Sequence, residues 1–521
     1  MSRPYTCATI LVAVTALLAG CVPGLAADPR FATNSGARPQ GAATSKPAPS
    51  GPPPVAAPKN DLAWHDCTSR VFADAAVPAP AGVQLDCANY DSDLDPVNGG
   101  GGTLSIGVVR ARSDQTPKDA GPLVFTTGSN MPSSAQLPAW LSRAGADVLA
   151  THPIVSVDRR GIGMSSPIDC RDKFDRQEMR DQSQFQAGDD PVANLSDVSN
   201  TATTNCGDAV GIGPNASSYD DAHAASDIER LRSLWDVPTV ALVGIGNGAQ
   251  VALAYAGSRP DKVSRLILDS PVALGTNAEA AAEQQVKGQQ AALNAFAAQC
   301  IAVNCALGPD PKSAVSALLA DARAGKGPGG TSVAQVANAI TVALGFPAGT
   351  RVNATTNLAN ALASARSGDN NALNNLINHA NAIQDSDGQF VNVCSDAVNR
   401  PTPDRVRELV VAWGKLYPDF GTVAALNMVK CVHWPTGSPP PSPKTLKVDV
   451  LLLGVQNDPI VGTDGVAATA ASIINANAAS KRVMWQGIGH GASIYSACAV
   501  PPLIGYLNSG KLPKTDTYCP A

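Results

Sequence analysis

The chain has 521 residues, more than one hydrophobic core ordinarily serves, so a core with a large insertion, or two domains, is expected. Its composition, 44% hydrophobic and 16% charged, is that of an ordinary globular protein. The net charge of −5 and the lack of a dense Lys/Arg run leave no electrostatic footprint for nucleic acid, which is set aside as a partner.

The N-terminus reads as an export signal. Arg3 precedes an apolar stretch ending at Leu18, too short to span a bilayer but the right length for the centre of a secretory signal. Leu18-Ala19-Gly20-Cys21 follows and resembles the lipobox of bacterial lipoproteins, so residues 1–21 are expected to be a signal peptide and Cys21 the lipidated residue. The alternative is cleavage after Ala26 or Ala27, which releases a soluble protein. The expected location is therefore the outer face of the cell membrane, held through the N-terminal lipid only, or the secreted fraction. Residues 22–60, with ARPQGAATSKPAPSGPPPVAAPKN, have no periodic apolar pattern and read as a disordered tether.

Cysteine usage fits export. Beyond Cys7 and Cys21 there remain Cys67, Cys87, Cys170, Cys206, Cys300, Cys305, Cys394, Cys431, Cys498 and Cys519, with no CxxC pair and no metal-type His/Cys spacing. They read as disulfides in an oxidising compartment, and no metal is expected. Sequence order does not fix the connectivity. Pairing of neighbours (67–87, 170–206, 300–305, 394–431, 498–519) is the expectation, because short loops close most easily.

From residue 61 short apolar runs alternate with helical segments. LSIGVVRAR (104–112), PLVFTTG (122–128) and PIVSVDRRG (153–161) read as strands, AASDIERLRSLW as a helix, and RLILD (265–269) as a further strand. This alternation predicts βαβ units and a mainly parallel, doubly covered sheet. Residues 273–445 break the pattern with Ala, Asn, Gln and Leu at helical spacing, as in AEAAAEQQVKGQQAALNAFAAQ, and are expected to form an inserted helical cap ending near TGSPPPSPK. Strand signals resume with VDVLLLGVQND (448–458) and RVMWQGIGH (482–490). The core is thus divided into 61–272 and 446–521.

The most informative stretch is TVALVGIGNGAQVALAYA (239–256), which reads as strand, glycine-dense turn, helix. Hydrolases with a G-x-S-x-G elbow place a nucleophilic serine at the middle of such a turn, followed in chain order by an acid and a histidine. Asp458 and His490 each sit just past an apolar strand and in that order, but the middle residue is Gly246. The other histidines, His65, His152, His223, His379 and His433, have no such context.

On these residues the chain resembles the α/β-hydrolase serine peptidases of the prolyl and tripeptidyl aminopeptidase family, particularly exported actinobacterial members with a TAP-like C-terminal segment. VDRRGIGMSSPIDC, RPDKVSRLILDSPV, VCSDAV, KCVHWP, LGVQNDPIVG and GIGHG carry the likeness, which runs from Trp64 onward. The resemblance implies an α/β-hydrolase fold, a mainly parallel sheet covered by helices with a mainly helical cap. It implies Asp458 and His490 as acid and base, with the nucleophile falling on Gly246. It also implies oxyanion donors at the Asn247 amide and in the loop carrying Gly128 and Ser129. That loop reads TTGSNMPSS, where family members usually have a richer glycine run such as N-P-G-G-P-G.

A glycine takes a positive-φ elbow without steric penalty, whereas another residue is strained by about 1–3 kcal/mol, so Gly246 keeps the turn and removes the attacking oxygen. Without a nucleophile, only about 10³–10⁴-fold catalysis over water remains. The expected function is that of a catalytically impaired hydrolase-fold protein that binds a peptide or small ester-like ligand and acts as a binding, scaffolding or regulatory protein. The alternative is retained peptidase or esterase activity, with Ser165, Ser166, Thr126, Thr127 and Ser129 as the nearby hydroxyls. A second alternative reads G-I-G-N-G-A as a degenerate dinucleotide fingerprint with Asp269 as the ribose ligand. It leaves Asp458 and His490 without a role, and no cofactor is expected.

Overall fold

The computed structural model describes residues 52–96, 99–182, 190–211, 218–437 and 439–521. The expected signal peptide, the lipidation residue Cys21 and the tether up to residue 51 lie outside the described residues.

Ten strands form one sheet: β1 (His65–Asp66), β2 (Val83–Asp95), β3 (Gly100–Ser113), β4 (Leu123–Thr126), β5 (Ile154–Val157), β6 (Val240–Ile245), β7 (Val263–Asp269), β8 (Val450–Asn457), β9 (Ser480–Ile488) and β10 (Thr517–Cys519). Their order is β1-β2-β3-β5-β4-β6-β7-β8-β9-β10. The pairs β1/β2, β2/β3 and β3/β5 are antiparallel, and every pair from β5/β4 onward is parallel. The sheet is mainly parallel and helix-covered, as the resemblance implies.

The side-chain period of two explains why the central strands read as continuous apolar runs. Leu242, Val450 and Leu452 pack with the helices Asp221–Leu234 and Asn247–Ser258 on one face. Val243, Leu451 and Leu453 pack with Ser133–Leu141 and Val500–Ser509 on the other. β2 gave no apolar run because polar residues recur along it (VQLDCANYDSDLD), among them the buried Asp86, which pairs with Arg110 and Arg112 of β3.

Between β7 and β8 the chain is helical, from Ala278–Ala302 through Gly421–Asn427, around its own apolar cluster. Two further helices, Lys173–Asp181 and Pro191–Ala209, contribute Met179, Val192, Leu195, Ala202 and Cys206 to this same cluster. The helical layer is thus assembled from two insertions, one of which lies within 61–272. Residues 52–60, at the end of the segment read as tether, pack against the core: Arg265 Nη1 donates to Pro53 O at 2.8 Å, and the Lys59 amide to Trp235 O at 2.9 Å. Arg265 is buried on β7 and needs acceptors, which an extended Pro/Ala segment supplies through its carbonyls.

The disulfides join Cys67–Cys87, Cys170–Cys206, Cys300–Cys305, Cys394–Cys431 and Cys498–Cys519, the neighbour pairing throughout.

Candidate functional site at the β6 elbow

β6 ends at Ile245 and the chain turns at Gly246, with φ +58° and ψ −121°, directly into the helix Asn247–Ser258. The turn is closed by the Gly246 amide, which donates to Asp269 O at 3.0 Å, and by the Ala249 amide, which donates to Gly246 O at 3.1 Å. Glycine is needed again at 248, where a Cβ would lie 2.1 Å from Thr126 O. The new helix therefore packs backbone to backbone against the end of β4.

Asp458 and His490 meet at this corner. His490 Nδ1 donates to Asp458 Oδ2 at 2.9 Å, and both side chains are buried. The other carboxylate oxygen, Oδ1, accepts from the amides of Ile460 (2.9 Å) and Val461 (3.2 Å), which fixes the carboxylate plane. The histidine loop is anchored from β7: Asp269 accepts from the amides of Ala492 and Ser493 and from Ser493 Oγ at 2.6 Å. Burial raises the pKa of Asp269, with the Ser493 and Ala492 hydrogen bonds opposing it. Asp269 is fully buried and already saturated, so it is not available to a ribose, and the dinucleotide reading fails at its acid.

His490 Nε2 faces the elbow. It is buried and has no hydrogen-bond partner among the described residues, and a Cβ at position 246 would lie 2.6 Å from it. Phe346, at the end of the helix Val333–Gly345, meets the imidazole edge-on with ring centroids 5.8 Å apart. This aromatic contact from the helical layer had no signal in the sequence.

The oxyanion region departs most from expectation. The Asn247 amide, the anticipated donor, already donates to Asn130 Oδ1 at 2.7 Å. Asn130 thus engages, with its own carboxamide oxygen, the amide that the resemblance implies as an oxyanion donor. The Gly128 amide is turned to Thr126 Oγ1 at 3.3 Å. The loop is held from the helical layer by Gln389 Nε2, which donates to Ser129 O (3.3 Å) and Asn130 O (3.0 Å). Asn130 was visible in TTGSNMPSS, but its role depends on a contact across 117 residues of sequence.

The nearby hydroxyls are mostly engaged in the loops. Ser165 Oγ donates to Asp158 O at 2.7 Å, Ser166 Oγ accepts from the Ser105 amide at 2.9 Å, and Thr127 Oγ1 donates to Met131 O at 2.5 Å. Ser129 Oγ is the exception, buried with no partner among the described residues.

Asn130 stands between two cavities at the junction of sheet and helical layer, of 310 Å³ and 280 Å³. The junction is riveted by Arg159, whose Nη1 lies 3.0 Å from Asp221 Oδ1 and 2.7 Å from Asp396 Oδ2, all three side chains being buried. Burial raises the pKa of both carboxylic acids, the Asp396 charge adds to the rise at Asp221 and the Asp220 charge to that at Asp396, and Arg159 opposes both.

Residues 417–519 match the family described as "TAP-like protein". The chain is 26% identical over 262 residues to "Serine protease Hip1" of Mycobacterium tuberculosis and of Mycobacterium bovis, a match covering 48% of this chain and 48% of the relative, so the chain spans about half the length of the curated relatives it matches. Solved structures similar to it include an acetylester hydrolase from Corynebacterium glutamicum (14% identity, 86% of this chain and 98% of that one, TM-score 0.36). A thermophilic esterase from Thermogutta terrifontis is also similar (14%, 81% and 99%, TM-score 0.34). Over residues 417–519 the chain is thus similar to the TAP-like family, and over about half its length to a serine protease.

Proposed function

We propose that this protein is a hydrolase-fold binding protein of the cell envelope that has given up covalent catalysis, exported and held at the membrane through Cys21. The observation that carries the reading is the state of His490. Its orientation by Asp458 is intact, yet its Nε2 faces the α-carbon of Gly246, where no hydroxyl exists to lose a proton. Nucleophilic catalysis needs the base within hydrogen-bond reach of the attacking oxygen, and here the base has no substrate proton to take. Asn130 supports the same reading, because the Asn247 amide that would stabilise a tetrahedral intermediate is engaged by the protein's own carbonyl.

A fluorophosphonate probe tests this. The wild-type chain is expected to stay unlabelled, and covalent labelling would overturn the reading. Retained peptidase or esterase activity is the second reading, favoured by the buried, unpartnered Ser129 Oγ in the oxyanion loop. Labelling that disappears in Ser129→Ala would establish it. For the anchor, Cys21→Ala is expected to move the protein from the membrane to the soluble fraction.

A further inference from the structure

The 310 Å³ cavity beside Asn130 has an unusual wall. Small-molecule sites are mostly apolar with a few polar groups, and span about 300–1,000 Å³. Here ten of the lining side chains are carboxamides. Four of them, Gln285, Asn338, Asn381 and Gln384, make no side-chain hydrogen bond among the described residues and are neither fully buried nor fully exposed. Three buried acceptors on the same wall, Ser129 Oγ, Gln182 Oε1 and Gln289 Oε1, also lack a partner among the described residues.

The charges on this wall largely cancel. Arg171 is bound by Asp387 (2.8 Å) and Asp385 (3.1 Å), and Arg180 by Asp385 (3.2 Å). Lys430 is the remaining cation, and desolvation lowers its pKa to about 8, against the attraction of Asp385. The one aromatic ring, Phe390, has the Arg171 guanidinium over it at 5.1 Å and Trp434 against its edge at 5.6 Å. One face of Phe390 is thus held by the Arg171 guanidinium. The apolar lining is small (Ala334, Ala337, Val393, Val423), and the wall is built of helices, so a peptide would find neither a free strand edge nor deep side-chain subsites.

We propose that this cavity binds a neutral, hydroxyl-rich ligand of the saccharide class. A hydroxyl is at once donor and acceptor, and a carboxamide offers two donors and an acceptor oxygen, so a wall of carboxamides pairs with a polyol in many orientations without a charge to compensate. The unpartnered Ser129 and Gln182 oxygens are then satisfied by the ligand's hydroxyls. This rests on reading the cleft as a binding site.

The test is equilibrium binding to the full chain of maltotriose, cellotriose, N,N′-diacetylchitobiose, glucuronic acid and blocked trialanine, at low and high salt. The expected result is binding of at least one neutral saccharide with no salt dependence, weakened about ten-fold by Gln285→Leu or Asn338→Leu, the loss of one hydrogen bond. Gln384→Ala is the second variant should the leucine variants fail to fold, with the same direction expected. Preference for glucuronic acid that is lost in Lys430→Met, binding of the peptide alone, or no binding of any probe would each overturn the proposal. Fluorophosphonate labelling would sink the non-catalytic reading without touching saccharide binding, so the two failures are separately visible.

Discussion

Asn130 and Gly246 are structurally interdependent: the Asn130 carbonyl oxygen lies 2.3 Å from the point a Cβ on residue 246 would occupy. A side chain at 246 and the present position of Asn130 exclude each other. The bare position at 246 and the Asn130–Asn247 hydrogen bond are therefore one arrangement, and placing a side chain at 246 requires moving Asn130.

Gly246→Ser alone is accordingly expected to react slowly with a fluorophosphonate, because its Cβ collides with Asn130 and also lies 2.6 Å from His490 Nε2. Adding Asn130→Gly removes the collision and frees the Asn247 amide. One oxyanion donor is worth about 10²–10³ in rate, so the double variant should label about 10²-fold faster than the single. Time-resolved labelling of both variants checks this, and equal rates would show that Asn130 does not block the site.

Arg159 holds two buried carboxylates, one of them Asp396 on the helix Asp387–Asp396 of the helical layer. Arg159→Met should cost about 3–5 kcal/mol at neutral pH, since two acids are left uncompensated. Burial already raises both their pKa values, so they take up protons more readily than in the unfolded chain. The deficit should shrink as pH falls. Denaturant melts at two pH values measure it, and protease cutting within 273–445 should rise in the variant.

Asp387 has the opposite sign. Burial works against its charge, but Arg176, the amides of Cys170 and Arg171, and the Arg171 charge outweigh it, and its pKa falls below the ordinary 3.8. A depressed carboxylate contributes stability that is present above its unfolded pKa and is lost as pH falls through the folded one. Asp387→Asn should lower the melting temperature at neutral pH and flatten the acid limb of the melting curve below pH 4. An unchanged acid limb would remove Asp387 from the account.

Cys394–Cys431 closes 37 residues within the helical layer, and both cysteines line the larger cavity. Replacing both by alanine should cost about 2–4 kcal/mol. Because this disulfide borders the cavity and not the elbow, the variant should weaken ligand binding while leaving the labelling of a Gly246→Ser, Asn130→Gly background unchanged.

Much of the fold was legible because its signals are local. The buried parallel strands are continuous apolar runs, and β3 to β9 fall where those runs were read. The turn at Gly246 and the chain order of Asp458 and His490 followed from residue type and spacing, while the disulfide pairing, left open by sequence order, is settled by the fold in favour of neighbours. β2 was hidden because polar residues such as Asp86 interleave its apolar ones, and the arginines that hold Asp86 lie on another strand. The helices at 173–209 were not assigned to the helical layer because membership is set by a shared apolar cluster, not by the segment's own pattern.

The sequence by itself determined that residue 246 at the elbow carries no side chain, since its identity is a fact of one position and no packing can supply a hydroxyl there. Only the tertiary structure decided what fills the space. Asn130 reaches the Asn247 amide because Gln389 of the helical layer holds its loop and β4 lies beside β6. That contact joins three segments far apart in the chain, and its strength depends on hydrogen-bond geometry to a few tenths of an ångström, which no local pattern of residues encodes.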